Sequence, residues 1–164
     1  MKMDNKECKL IGRYYVQLKD VHINWGHRAG REKNKEAYLP IPSKYAYAFN
    51  ILRGNEYTCT LQDTNNTIRL LAAGSQSRND YAKQFQGAHD LSLLYDWYAS
   101  HNAMAGDFVV VNIFFQKEMT LEFISQSQAD RIKDLNLVHS SGKPFNAVES
   151  CRAATSGFRL VSLL

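Results

Sequence analysis

Apolar and polar residues alternate along this chain in short stretches, and most of the stretches have a period of two. Residues 11–19 (IGRYYVQLK) are rich in aromatic and β-branched side chains and predict a strand. Residues 20–36 (DVHINWGHRAGREKNKE) hold two glycines, many charges and no apolar period, which predicts a long exposed loop. The run Tyr38-Leu39-Pro40-Ile41-Pro42 predicts a short extended piece whose prolines fit a sheet edge or strand end. Ser43 stands where it would cap a brief helix over 44–49. Residues 57–61 (YTCTL) and 67–72 (TIRLLA) flank the turn chemistry of Asp63-Thr64-Asn65-Asn66 and predict a hairpin. Residues 74–87 are polar and read as a loop, with Tyr81 and Phe85 embedded in it. Asp90 is the expected cap of a helix over 91–101, because Leu91, Leu94, Tyr95 and Tyr98 share one helical face. Residues 108–115 (FVVVNIFF) are nearly continuous β-branched and aromatic residues, which predicts a buried central strand. Gln116-Lys117 then turns the chain into the alternating 119–124 (MTLEFI). The pattern weakens after Ser125, leaving a short helix near 128–135 and a closing strand over 158–163.

Six or seven short strands and two short helices, without βαβ alternation, define an all-β chain. The expected architecture is a seven-stranded open antiparallel β-barrel, or pseudobarrel. The length of 164 residues suits a single domain over 1–164, with its core at 11–124 and an extension over 125–164. The apolar share of 45% is enough for a real core. No apolar run approaches the ~20 residues of a membrane span, and the polar N-terminus has no secretory h-region. Cys8, Cys59 and Cys151 are odd in number, widely spaced and without a CxxC pair. They argue against a disulfide framework or zinc ribbon and for a reducing compartment, so a cytoplasmic location is expected.

The search for catalytic chemistry is negative. GxSxG, Walker A and GxGxxG are absent, and His22, His27, His89, His101 and His139 form neither HExxH nor a metal-ligand pair with the cysteines. His22 and His27, five apart in the long loop, suit solvent or phosphate better than a metal. The only Glu-x-Lys is Glu7-Cys8-Lys9, with just Asp4 ahead of it, a spacing that cannot hold Mg²⁺ between neighbouring strands. The expectation is a recognition domain, with no catalytic residues, no metal and no cofactor.

Charge then sharpens the picture. The net charge is only +4, yet residues 19–35 carry Lys19, Arg28, Arg31, Lys33 and Lys35 against Asp20 and Glu32, which accounts for most of it. Asn24, Trp25 and His27 are interleaved, and Gly26 and Gly30 permit close backbone approach. Lys and Arg neutralise phosphates, while Asn, Gln and Arg can bond to base edges. Alone, such a loop reads as a solvated surface. A second polar loop shifts that balance. Residues 74–86 (GSQSRNDYAKQFQ) concentrate Ser75, Gln76, Ser77, Arg78, Asn79, Asp80, Lys83 and Gln84. Asp80 either accepts from a cytosine amino group or orients Arg78, and Tyr81 and Phe85 suit core anchoring better than base stacking. Two such arms on one β scaffold suggest a clamp on duplex DNA.

The order of these segments is a strand, a basic arm, LPIPSKYA, a hairpin, GSQSRNDYAKQF, a DLSLLYDWY helix and AGDFVVVNIF. It resembles the B3-like DNA-recognition domains of type II restriction endonucleases. The likeness is to the C-terminal domains attached to phospholipase-D-type nucleases and to the EcoRII-like effector domain, and plant B3 transcription-factor domains share that fold. It covers about 11–124 and is strongest over 74–111. The resemblance implies a DNA-binding pseudobarrel that grips the major groove with an N-arm (19–35) and a C-arm (74–84), while nuclease activity resides in a separate fused or associated domain. On that reading Arg28, Arg31, Lys33, Lys35 and Lys83 meet phosphates. Asn24, Trp25, His27, Gln76, Arg78, Asn79 and Asp80 read bases, and Lys19, Ser75, Ser77, Tyr81 and Gln84 complete the surface. The expected partner is double-stranded DNA, with no membrane partner. A protein- or carbohydrate-binding β domain with polar rim loops is the alternative. A small hydrolase with scattered acids is a third reading, which no constellation of residues supports.

Overall fold

The computed structural model describes residues 10–24, 35–77, 79–128 and 130. Seven strands form one sheet: β1 (Leu10–Gln17), β2 (Leu39–Pro40), β3 (Glu56–Leu61), β4 (Thr67–Ala73), β5 (Gln84–Gly87), β6 (Phe108–Phe114) and β7 (Glu118–Ile124). They lie in the order β1-β6-β7-β3-β4-β5-β2. Three short helices accompany them: α1 (Asp20–Ile23), α2 (Ser43–Ala48) and α3 (Ser92–Ser100). The sheet curls into a nearly closed barrel, as the alternation of the strands implied.

One sheet feature departs from expectation. All neighbouring strands are antiparallel except β3 and β7, which run parallel from Thr58↔Glu118 to Leu61↔Leu121. The barrel is therefore mixed. Residues 84–87, read as loop, form β5, which pairs with β4 through Ala72↔Phe85 and with β2 through Leu39↔Phe85. The expected exposed loop after β1 opens with α1, so three α-helices rather than two stand among the described residues. Ser43 is the first residue of α2 rather than its cap, because the Pro42 carbonyl accepts from Tyr45 and Ala46 N–H. Asp90 likewise is not the cap of α3, whose N-cap is Leu91, but stands one residue before it, where its Oδ1 accepts from both Ser92 N–H and Ser92 Oγ. The expected closing strand over 158–163 lies outside the described residues, as does nearly all of the helix expected at 128–135, where a single 3₁₀ turn occupies Gln126–Gln128.

Inward side chains of every strand join one core, among them Tyr14, Cys59, Leu70, Phe85, Val111 and Leu121. The helices plug the barrel. In α2, Tyr45 and neighbouring Phe49 stack against Tyr14 at centroid distances of 5.0 and 6.4 Å. Gly12 makes room for this, since a Cβ there would strike the Phe49 ring. In α3, Leu94, Trp97 and Tyr98 are buried. Trp97 Nε1 donates to Asp63 Oδ1 at 3.2 Å, and His101 Nε2 lies 2.9 Å from Asp63 Oδ2, which ties the β3–β4 turn to α3. Gly87 lets the chain fold back into α3, because a Cβ there would collide with the Asp90 carbonyl. Burial pushes the Cys59 thiol well above its ordinary pKa, so this cysteine acts as a small core residue.

Candidate functional site

The register fixes where the two polar arms leave the barrel. Gln17, Phe108 and Ile124 are aligned at one end, with the C-terminal end of β3, the start of β4 and the C-terminal end of β5. The N-arm departs from that end, after Gln17. Ala73, Gln84 and Pro40 are aligned at the opposite end, where the C-arm connects β4 to β5. Across the seam of the barrel the two arm roots meet, since Gln17 lines the same groove as Gln76 and Lys83. β1 and β2 are the outermost strands of the sheet, and no ladder joins them among the described residues. The seam is a groove of about 450 Å³, lined by Tyr15, Val16 and Gln17 of β1, by Pro40, Ile41, Pro42 and Ser43, and by Gln76 and Lys83 of the C-arm.

The C-arm is braced rather than draped. It starts at Gly74, whose φ of +72° suits glycine, with Lys83 Cβ packed where a side chain would stand. Gln76 Nε2 donates to the carbonyls of Ile41 (2.6 Å) and Ala82 (3.1 Å), and Gln76 N–H donates to Tyr81 O. Ser75 Oγ donates to Asn79 O at 2.6 Å. Asn79 Oδ1 accepts from Tyr81 N–H at 3.0 Å, an Asx turn, and its Nδ2 reaches Tyr47 Oη at 3.3 Å. Tyr81 meets the Tyr47 ring edge to face at 4.8 Å, so α2 buttresses the arm. Ser75, Gln76 and Asn79 thus spend much of their hydrogen-bonding capacity on the arm itself. Ser77, Asp80 and Lys83 are exposed, while Gln84 stands in β5 with its amide toward Gln86 at 3.3 Å.

Because both Gln76 amide hydrogens hold carbonyls, Gln76→Ala is expected to cost about 1–3 kcal/mol, the effect of leaving buried acceptors unmatched. Amide exchange over 75–83 should quicken while Cys59 and Leu70 stay protected. Unchanged exchange in the arm would show that the bracing lies elsewhere.

The root of the N-arm is equally local. Lys19 is exposed and precedes α1, and its N–H donates to His22 Nδ1 at 3.0 Å. The loop histidine assigned to solvent or phosphate is therefore half-buried and closes the first turn of α1. Burial, then the Lys19 charge, holds the His22 pKa below its ordinary value. A lowered imidazole pKa stabilises the fold above the unfolded value of about 6.5, and this contribution is lost as pH falls through the lower folded value. Acidification through the lowered folded value should therefore free the Lys19 N–H, read as faster exchange at that amide, and His22→Ala should abolish the pH dependence.

Asn24 ends α1 with its N–H on Asp20 O. Trp25, His27, Arg28, Arg31, Lys33 and Arg78 lie outside the described residues. Lys35 lies 3.9 Å from Asp96 and 6.0 Å from the Tyr95 ring, both on α3, away from the seam groove's lining. The groove residues Tyr15, Gln17 and Ser43 were not singled out from the sequence. The outward phase of β1 marks Tyr15 and Gln17, but only the sheet order reveals that β1 borders a seam.

Among the described residues, no group of three or more His, Cys, Asp or Glu side chains could hold a metal ion, and no helix is long and apolar enough to cross a membrane. No family model and no curated protein matches the chain. Among solved structures, the chain is similar to the N-terminal domain of Helicobacter pylori LlaJI.R1. The TM-score is 0.50 at 13% identity, over 76% of this chain and 96% of that one, a likeness of fold.

Proposed function

We propose that this chain is a sequence-specific double-stranded-DNA-binding domain that serves as the target-recognition module of a restriction endonuclease. The observation that carries the reading is that the braced polar C-arm, through Gln76 and Lys83, and Gln17 at the root of the basic N-arm border one open groove at the seam. A duplex laid along the seam would meet both arms, and the groove between them offers Gln17, Ser43 and Lys83 as polar contacts. The fold likeness to the N-terminal domain of Helicobacter pylori LlaJI.R1 supports a domain of this kind, and on this reading the cleavage chemistry belongs to another domain or subunit.

Within the C-arm, direct readout falls to the exposed Asp80, together with Ser77 and Arg78, whereas Gln76 and Asn79 hold the arm in shape. Lys83 is the phosphate contact. A target site is first obtained by selecting bound sequences from a random duplex pool. Asp80→Ala is then expected to cost about 1–3 kcal/mol on that site and far less on random duplex. Lys83→Ala should weaken all sequences alike and lower the salt slope by about 1. A mobility-shift assay on mixed duplexes with excess competitor that shows no complex would overturn the proposal in favour of a protein or carbohydrate ligand.

A further inference from the structure

Arg53 lies outside both polar arms, yet the fold sets it against Asp80 of the C-arm. The segment before β3 is laced to the returning leg of that arm. Leu52 and Tyr81 form an antiparallel bridge. Ala82 N–H donates to Ile51 O at 2.9 Å, and Arg53 N–H donates to Asp80 O at 2.8 Å. Just beyond, Gly54 N–H and Asn55 O bond the backbone of Ala72 in β4, each at 2.8 Å. Tyr81 is braced in turn by the Tyr47 ring. One step along from the Leu52–Tyr81 bridge, Arg53 and Asp80 stand opposite each other, where cross-strand Cβ atoms lie about 4.5–5.5 Å apart. Both residues are exposed. Neither side chain takes part in an ion pair among the described residues. Pairing in water would gain little, so a guanidinium and a carboxylate stand at neighbouring positions, both available to a ligand.

We propose that Arg53 and Asp80 together read one G·C base pair, Arg53 on the guanine and Asp80 on the cytosine. The inference rests on the DNA-binding reading and gives it a specificity residue from outside both arms. In the major groove guanine shows two acceptors, N7 and O6, which suit the guanidinium fork, and cytosine shows an amino donor, which suits a carboxylate. A phosphate contact fits Arg53 less well, because the phosphate would stand against the Asp80 carboxylate, a juxtaposition of like charges. A carboxylate brought to DNA alone meets the same repulsion, and the facing Arg53 offsets it. The backbone bonds on both sides of the bridge hold the two positions in fixed relation, as readout of a single pair requires.

Selection of bound sequences from a random duplex pool, run on the full chain and its variants, tests this. The wild type should fix a G·C pair at one position of its site. Arg53→Ala and Asp80→Ala should each weaken binding to that site about tenfold to a hundredfold, and both should relax the same base pair. Binding to random duplex should change far less, which also shows that the variants are folded. Arg53→Gln should move the preference at that pair from guanine towards adenine, a change that loss of a merely structural contact would not produce. The inference is overturned if Arg53→Ala weakens selected and random duplexes alike, since Arg53 would then contact phosphate. It is equally overturned if the Arg53 and Asp80 variants relax different base pairs, while sequence-specific binding itself stands. If no duplex is bound at all, the DNA-binding reading falls and takes this inference with it.

Discussion

Truncating Phe85 to alanine is expected to lower the free energy of unfolding by about 3–5 kcal/mol, among the largest single-residue effects in the chain. Phe85 is fully buried in a strand of only four residues, and its ring meets Tyr57 edge to face at 5.3 Å. Its backbone stands between Ala72 of β4 and Leu39 of β2, so the same position holds both neighbours of β5. The cavity would lie where β2, the short seam strand, joins the sheet, and polar β5 has little other apolar surface with which to collapse into it. For a chain of this size the loss corresponds to roughly 10 °C in the melting midpoint, measurable by calorimetry. Met104→Ala, at a site 69% exposed, is the matched control and should change stability by less than about 0.5 kcal/mol. Equal effects at the two sites would refute the assignment of Phe85 to the core.

The second large effect is ionic. Lys19, Arg28, Arg31, Lys33, Lys35 and Lys83 are six of the seven cations on the two arms, the seventh being Arg78, which is assigned to base readout. If each neutralises one phosphate, raising salt from about 50 to about 200 mM weakens duplex binding about a thousandfold, through release of condensed counterions. The Lys35–Asp96 pair does not remove Lys35 from this set. Its partners are 62% and 61% exposed at 3.9 Å, a geometry that contributes little in water. Binding measured by anisotropy across that salt range should therefore give a log–log slope near −5, the product of six contacts and about −0.9 per contact. A protein or carbohydrate ligand held by rim hydrogen bonds would give a nearly flat line, and that outcome would end the nucleic-acid reading.

Most of the barrel was legible in the chain because its strands advertise themselves. FVVVNIFF is apolar on both faces, and YTCTL and MTLEFI alternate cleanly. Two elements escaped notice because local pattern did not make them. Gln84–Gly87 has one large apolar residue and a glycine, and it is a strand only because β4 and β2 offer it ladders on both sides. Asp20–Ile23 has no apolar face and depends on His22 reaching back to Lys19. The β3–β7 pairing joins segments 60 residues apart between Thr58 and Glu118, and its parallel sense is a tertiary decision with no local signature. The candidate site was half legible for a related reason. Composition shows how many donors and acceptors an arm carries, not which are already occupied. Gln76 and Asn79 look identical in sequence to free base-readers, and their hydrogen bonds to Ile41, Ala82, Tyr81 and Tyr47 assign them to the scaffold.

The two prolines at the seam have one more consequence. An open barrel exposes strand edges, and an unpaired edge is a template on which other chains can add strands and aggregate. Here β2 is two residues long, and neither Pro40 nor Pro42 has an N–H to offer an incoming strand. The seam is accordingly poor at recruiting another copy of the protein, while side chains such as Gln17, Ser43 and Lys83 remain along it. The β2 margin of the seam is thus closed to strand addition and open to a ligand recognised through side chains.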